Sequence, residues 1–326
     1  MKCHHDVLRL SLGVPVFNEA EAVGLFIKKI AETFASSAEL DIEIIFINDG
    51  STDQTLETLI KHQSLNRSIR VVDLTRNFGK EAALTAGLDL AKGDVIVPID
   101  VDLQDPPEVI PEMIEKWREG YEVVLGRRIS RDADSWLKRT TANWFYRIHN
   151  KISDPKLPEN VGDFRLIDRS VLDALKLLPE SRRFMKGLFA WVGFKTAYVD
   201  YSRPERVAGS SKFNGWKLWN FALEGITSFS TEPLRIWTYI GGLISLSSFA
   251  FAIYTAMKVF IYGVDVPGYA SIMVAITFFG GLQLVGIGVI GEYLGRTYIE
   301  SKRRPIYLIR KTYEADGMTT PPSVNL

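Results

Sequence analysis

The N-terminal part of the chain alternates short, almost continuous apolar runs with longer stretches whose apolar residues recur at helical spacing. Val7–Val16 reads as a strand that ends in the turn Pro15-Val16-Phe17-Asn18-Glu19, and Glu19–Ala35 then carries Val23, Phe26, Ile27, Ile30 and Phe34 on one helical face. Asp41–Asn48 is apolar on both alternating sets, as a strand covered on both faces must be, and it stops at Asn48-Asp49-Gly50-Ser51. A capped helix follows over Asp53–Gln63, then a strand over Arg70–Leu74, a helix over Lys80–Ala91 and a strand over Asp94–Ile99. Pro107–Gly120 reads as a helix and Glu122–Leu125 as a further strand. This order leaves few choices other than a Rossmann-like, doubly wound α/β fold with a mainly parallel sheet and right-handed crossovers.

Sheets of that kind bind ligands beyond the carboxyl ends of their strands. Polar groups gather at those ends: Asn18 and Glu19, Asp49, Asn77 and Lys80, Asp100 and Asp102, and Arg127 and Arg128. The fourth strand runs into Asp100-Val101-Asp102-Leu103-Gln104-Asp105. Two hard carboxylates one residue apart suit Mg²⁺ or Mn²⁺, which retain open positions for phosphate oxygens of a substrate. Neither a Gly-x-Gly-x-x-Gly after the first strand nor a Gly-Lys-Ser/Thr loop is present, so hydride transfer and P-loop hydrolysis lack support.

Further along, Asp134–Ile152 reads as a helix in which Trp136, Leu137, Trp144, Phe145, Tyr146 and Ile148 are interleaved with Lys138, Arg139 and Arg147, either an ordinary amphipathic helix on the sheet or a helix at a membrane surface. Val161–Asp168 opens as a strand, Arg182–Trp191 is apolar and basic, and Phe194–Val199 is another strand. Arg203–Phe213 is a polar, basic loop containing Gly209-Ser210-Ser211-Lys212, able to close over phosphates, and a helix Trp216–Phe229 follows it.

From Pro233 the charges thin out. Ile236–Ala256 and Val266–Gly291 contain no Asp, Glu, Lys or Arg, and each reaches the roughly 20 residues that span a bilayer core. The loop Tyr262–Gly268 carries no Lys or Arg, whereas Arg296, Lys302, Arg303, Arg304, Arg310 and Lys311 follow the second run. The positive-inside rule then predicts a multi-pass membrane protein with both termini cytoplasmic and the short loop outside. Gly241-Gly242 and the series Gly280, Gly281, Gly286, Gly288, Gly291 and Gly295 permit close helix packing and predict a homo-oligomer. The formal net charge of +0 gives no global field to recruit nucleic acid, and the one cysteine, Cys3, rules out a disulfide framework. The expected domains are a cytoplasmic α/β unit over 1–213, an amphipathic juxtamembrane helix over 214–232, two transmembrane helices over 233–298 and a cytoplasmic tail over 299–326.

Six segments together resemble the polyprenyl-phosphate glycosyltransferases of the GT-A, family 2 type, including bactoprenol glucosyltransferases and dolichol-phosphate mannose synthases. They are Val14–Glu19, Asn48–Ser51, Arg76–Lys80, Asp100–Pro106, Gly162–Arg165 and Arg206–Lys212. The resemblance implies a GT-A catalytic domain that transfers a hexose, glucose first among the candidates, from a UDP-sugar to undecaprenyl or another polyprenyl phosphate. GDP-mannose and UDP-amino-arabinose are alternative donors. It implies that Pro15, Phe17, Asn18, Glu19, Asp49, Asn77, Lys80, Asp100 and Val101 bind the nucleotide, and that Asp100, Asp102 and Gln104 hold Mg²⁺ or Mn²⁺. Arg127, Arg128, Arg139, Arg206, Ser211 and Lys212 would hold the lipid phosphate. Asp100, Asp102, Asp163, Arg128 and Lys212 would form the catalytic set. The acceptor phosphate is already an anion at neutral pH, so a general base has no proton to remove; a single in-line displacement would invert the anomeric carbon and give a β-linked product. The processive polysaccharide synthases are a weaker match, because Gln-x-x-Arg-Trp is absent and two spans are too few for a channel.

Overall fold

In a computed structural model, residues 7–37, 39–129, 158, 161–181, 183–202, 232–262 and 268–314 are described. The helix expected over 134–152, the loop 203–213 and the helix 216–229 lie outside those residues. The N-terminal part follows the expected alternation: β1 (Leu8–Val16), α1 (Ala20–Thr33), β2 (Leu40–Asn48), α2 (Thr55–Leu65), β3 (Ile69–Leu74), α3 (Lys80–Leu90), β4 (Val95–Pro98), a 3₁₀ turn (Pro107–Val109), α4 (Ile110–Arg118) and β5 (Val123–Arg128). Then come β6 (Val161–Asp168), α5 (Arg169–Lys176), α6 (Met185–Trp191), β7 (Thr196–Tyr201), the long helices α7 (Glu232–Tyr262) and α8 (Tyr269–Ser301), and β8 (Ile309–Tyr313).

All eight strands form one sheet in the order β7-β5-β6-β4-β1-β2-β3-β8. The pairs β1–β2, β1–β4, β2–β3 and β5–β7 are parallel, while β6 runs antiparallel to both β4 and β5. The strand order reverses between β1 and β4. Chain turns on either side of that reversal diverge, which opens a crevice at the carboxyl ends of these two strands.

A core lies on each face of the sheet. On one, Leu10, Leu12, Val14, Phe46 and Val97 pack with Phe26 of α1, Leu59 of α2 and Met113 of α4. On the other, Ile45, Ile47, Val72 and Ile96 pack with Leu84 of α3, Leu172 of α5 and Leu188 of α6. The three layers explain why β2 and β3 are apolar on both alternating sets. Gly87 lets α3 approach β1 closely: a Cβ there would lie 2.9 Å from Ile47 Cδ1 and 3.6 Å from Gly13 Cα.

The segment expected as a tail over 299–326 contains a strand of the sheet. After α8 the chain returns to the sheet, where β8 pairs antiparallel with β3 and covers an edge that would otherwise present unpaired backbone groups. The end of α8 is anchored too, since Ser181 donates from N and Oγ to the Glu300 carboxylate, each at 2.9 Å to Oε2. The expected spans fall within α7 and across most of α8. Among the described residues one stretch, Phe278–Ser301, is long and apolar enough to cross a membrane. Two transmembrane helices are therefore not established by length and composition of the described residues.

Gly87→Val should lever α3 away from β1 and cost about 1–3 kcal/mol, as overpacking does. The expected result is a thermal unfolding midpoint lowered by several degrees, read by intrinsic fluorescence of the detergent-solubilised protein. An unchanged midpoint would show that the α3–β1 contact has slack.

Candidate functional site

The crevice is built from four strand ends and the N-terminus of α3. After β1, the 17–19 turn is stapled to the loop after β2: Asn18 N–H donates to Ser51 Oγ at 3.0 Å, Thr52 N–H donates to Asn18 Oδ1 at 2.8 Å, and Glu19 N–H donates to Thr55 Oγ1 at 2.9 Å. Asn18 takes a left-handed φ of 56°, which asparagine tolerates better than most residues. Pro15 pairs with Ile47 and Phe17 follows at the crevice rim.

Asp49 is buried and binds the loop after β3, accepting from Phe78 N–H at 2.7 Å and Gly79 N–H at 2.9 Å. Burial pushes its carboxyl above the ordinary value despite those two backbone donors. Gly50 sits at φ 66°, and a Cβ there would meet the Arg76 carbonyl carbon at 2.5 Å, so the two loops touch through a position that only glycine can fill. Asn77 is exposed in the same loop, its carbonyl accepting from Arg76 Nη1 at 2.8 Å.

Lys80, the first residue of α3, bridges two carboxylates that are distant in sequence. Its Nζ lies 2.8 Å from Asp100 Oδ2 and 3.1 Å from Asp163 Oδ2. Burial works against the ammonium charge, but Asp100 and Asp163 hold Lys80 well above its usual range. Burial likewise opposes ionisation of Asp163, yet Lys80, Lys186 and Arg165 outweigh it and hold that carboxyl far below the usual carboxylate range. Asp102 is buried, its Oδ1 accepting from Gln104 N–H at 3.2 Å, and Val101 is buried between the two acids. Leu103 holds a φ of 57°, unusual for a branched apolar residue, and so keeps Asp102 and Gln104 in a tight turn.

Carboxylates of this kind fit a small divalent cation in part. Among the described residues no group of three or more His, Cys, Asp or Glu side chains could hold a metal by itself. Asp100 and Asp102, with the Gln104 amide, match an ion that uses one or two carboxylates and completes its shell with substrate phosphates.

Arg128 and Arg127 point to opposite faces, as neighbours in a strand must. Arg128 Nε donates to Tyr201 Oη at 3.2 Å, Tyr201 Oη donates to the buried Asp105 at 2.7 Å, and the Arg128 guanidinium lies 3.9 Å from Asp105. Arg127 pairs with Asp200 on the surface, at 2.6 and 2.8 Å. It is thus engaged at the sheet rather than turned toward Lys80. Arg139, Arg206, Ser211 and Lys212 lie outside the described residues.

Sequence reasoning missed Glu81 and Lys186. Glu81 lies next to Lys80 and accepts from Met185 N–H at 3.3 Å. Burial first, and repulsion by Asp163 second, push its carboxyl up to about 7 against the pull of Lys80 and Lys186. The only signal was its place beside Lys80, because an acid in a first helical turn is ordinarily a solvated partner of the helix dipole.

Comparison with known proteins follows this geometry. Residues 11–176 match the family described as Glycosyl transferase family 2. A prophage bactoprenol glucosyl transferase homolog of Escherichia coli (strain K12) is 56% identical over 305 residues, covering 93% of this chain and 99% of that one. The bactoprenol glucosyl transferase of Shigella phage SfV is 57% identical over 304 residues, covering 93% and 98%. Among solved structures, glucosyl-3-phosphoglycerate synthase from Mycobacterium tuberculosis, in complex with Mn²⁺, UDP and phosphoglyceric acid, superposes with a TM-score of 0.51 at 20% identity, covering 68% of this chain and 76% of that one. That likeness bears on the fold alone.

Glu81 sets a pH dependence. Its carboxyl titrates near 4.5 when unfolded and near 7 when folded. Across that window the native state holds more protons, so stability falls as pH rises and the loss is complete above the folded value. Asp163 works in the opposite sense, at lower pH. Thermal unfolding from about pH 5 to about pH 8 should show wild type losing stability relative to Glu81→Gln. A constant difference between the two across that range would show that Glu81 does not titrate there.

Proposed function

From the premise that the chain belongs to glycosyl transferase family 2, we propose that it transfers glucose from UDP-glucose to undecaprenyl or a similar polyprenyl phosphate at the cytoplasmic membrane face. One observation carries the reading: identity of 56–57% to bactoprenol glucosyl transferases over nearly the whole of both chains, apolar helices included. The crevice chemistry agrees with it.

The nucleotide would lie over the β1–β4 reversal, with its base against the Pro15–Glu19 turn and the loop at Asp49. Asp100, Asp102 and Gln104 would hold Mg²⁺ or Mn²⁺, which when bound supplies positive charge to a departing diphosphate. Lys80 brings a second cation to the same place. Asp163 is held too far below neutral pH to act as an effective base. Its role is to position Lys80, and the reaction needs no base, because the attacking group is a phosphate anion. The chain's task is to hold two anions together that otherwise repel, and to fix them in line so that the anomeric carbon inverts. Arg128, tied to Tyr201 and Asp105, keeps a fixed cation near Asp163. Arg206, Ser211 and Lys212, with Arg139, are the further candidates for the lipid phosphate.

We read α7 and α8 as two crossings of the membrane, with the juxtamembrane stretch 214–232 at its surface. Parity supports this. The catalytic strands precede α7, while β8 follows α8 and joins the same sheet, so the number of crossings between them is even. At about 1.5 Å per residue, helices of 31 and 33 residues exceed the roughly 30 Å of a bilayer core. The catalytic unit is then 1–213 together with the returning strand, and association through the glycine-bearing helices gives a homo-oligomer.

Purified protein in detergent, undecaprenyl phosphate, Mn²⁺ or Mg²⁺ and a panel of radiolabelled nucleotide sugars test the reading. Organic-extractable label is expected from UDP-glucose and should vanish with EDTA. Label from GDP-mannose or a UDP-amino sugar alone would move the donor assignment, and no lipid-soluble label from any donor would overturn the reaction. Asp100→Asn should lower turnover by at least about a hundredfold, as loss of charge stabilisation at a departing diphosphate does. Near wild-type turnover in that variant would remove Asp100 from the metal site.

A further inference from the structure

The strand β8 joins β3 irregularly. Asp73 pairs with Lys311, but Leu74 pairs with Ile309, so Arg310 is an extra residue on the edge strand. A bulge of this kind turns side chains to the other face and re-aims the one at the kink. Both effects are visible. Ile309 packs into the core beside α3, whereas Tyr313, an even number of residues later, packs against the opposite core. Arg310 is swung back toward β3, where Nη1 lies 3.5 Å from Asp73 Oδ2 and Nη2 donates to the Thr75 carbonyl at 2.6 Å.

Asp73 explains why such a residue is needed there. It stands in the apolar run of β3 and is 2% exposed, so its charge has almost no water. Its other oxygen accepts from Asn48 Nδ2 at 2.7 Å, and Asn48 Oδ1 accepts in turn from Ser51 N–H at 3.3 Å. Asn48 thus spends both ends of its amide linking a buried acid to the loop after β2. The loop after β3 is held from the same side: Thr75 N–H donates to the Leu308 carbonyl at 2.9 Å and its carbonyl takes Arg310. Beyond Thr75, the Phe78 and Gly79 amides meet Asp49. Both loops that border the crevice therefore hang from one brace, supplied by a segment more than 230 positions later in sequence.

We infer that Arg310 is a positioning residue for the loops 48–51 and 75–79, and that the strand following α8 completes the pocket for a nucleoside diphosphate. This rests on the reading of those loops as the donor site. Removing the guanidinium leaves a buried carboxylate without its counter-charge, a costly arrangement that the chain would relieve by letting water in beside Asp73 and Asn48. The loops would loosen and the nucleotide would have to order them again on binding.

The test uses the full chain in detergent. Hydrogen exchange in wild type and Arg310→Met would be compared without nucleotide, and UDP binding would be measured by calorimetry with Mn²⁺. In Arg310→Met, exchange at Ser51, Phe78 and Gly79 should rise about tenfold while the β1–β4 ladder is unaffected, and UDP should bind about five- to tenfold more weakly. Adding Asp73→Asn, which removes the buried charge, should bring both readouts back to within about threefold of wild type. Unchanged exchange in Arg310→Met, or a rise spread evenly over the whole sheet, would overturn the brace, as would failure of the double variant to recover. Wild-type protein that binds no UDP would instead overturn the donor reading, and the exchange comparison would still decide whether Arg310 positions the loops.

Discussion

A single ammonium group holds the crevice together. Lys80 Nζ lies between Asp100 and Asp163, and without it two carboxylates from different strands would face each other with Glu81 close behind. Like charges at such a site cannot all ionise at neutral pH unless a cation intervenes. Asp163 is driven strongly to its charged form by Lys80, Lys186 and Arg165, while at Glu81 burial and the charge of Asp163 outweigh Lys80 and Lys186 and drive it toward its neutral one. The pair shows how two acids in one pocket acquire opposite behaviour from their surroundings alone.

The fold supplies the convergence that this arrangement needs. Lys80 enters from the N-terminus of α3, Asp100 from the end of β4, and Asp163 from β6, which runs antiparallel between β4 and β5. A purely parallel sheet would have placed the residues at the start of β6 at the far end of the domain. Reversal of this one strand brings its beginning to the carboxyl ends of its neighbours, where ligands bind. Gly87 allows α3 to sit closely enough on β1 for Lys80 to reach both acids.

The same sheet ties chemistry to the apolar helices. The end of α8 is fixed to Ser181, and eight residues after Ser301 the chain is already a strand in the catalytic domain. The helical pair is therefore joined to β3 and to the loops beside it by short covalent and hydrogen-bonded links. A lipid-phosphate acceptor presents its head group at a fixed height, so rigid attachment between helix and crevice suits the proposed reaction.

Much of this was legible in the sequence. Periodicity fixes local structure, and the strands and helices up to Arg128 fall where alternation places them, because apolar faces must be covered whatever the partner. The acids after β4, the polar strand ends and the apolar C-terminal runs could be found from residue type and position alone. What the sequence could not disclose was pairing between distant segments. Asp163 and Lys80 are 83 positions apart by their numbers, and nothing local to either specifies the other. Glu81 looked like a surface acid, and Asp73 an irregularity in an apolar strand, until burial gave each a consequence. The residues of β8 are charged and few, too short a run to announce a strand; only the exposed edge of β3 gives them hydrogen bonds, and only the buried charge of Asp73 gives Arg310 its place. Sequence determined which elements form and which chemistry they carry. Tertiary structure decided which charges meet, because the energy of a buried charge depends on neighbours that no local pattern encodes.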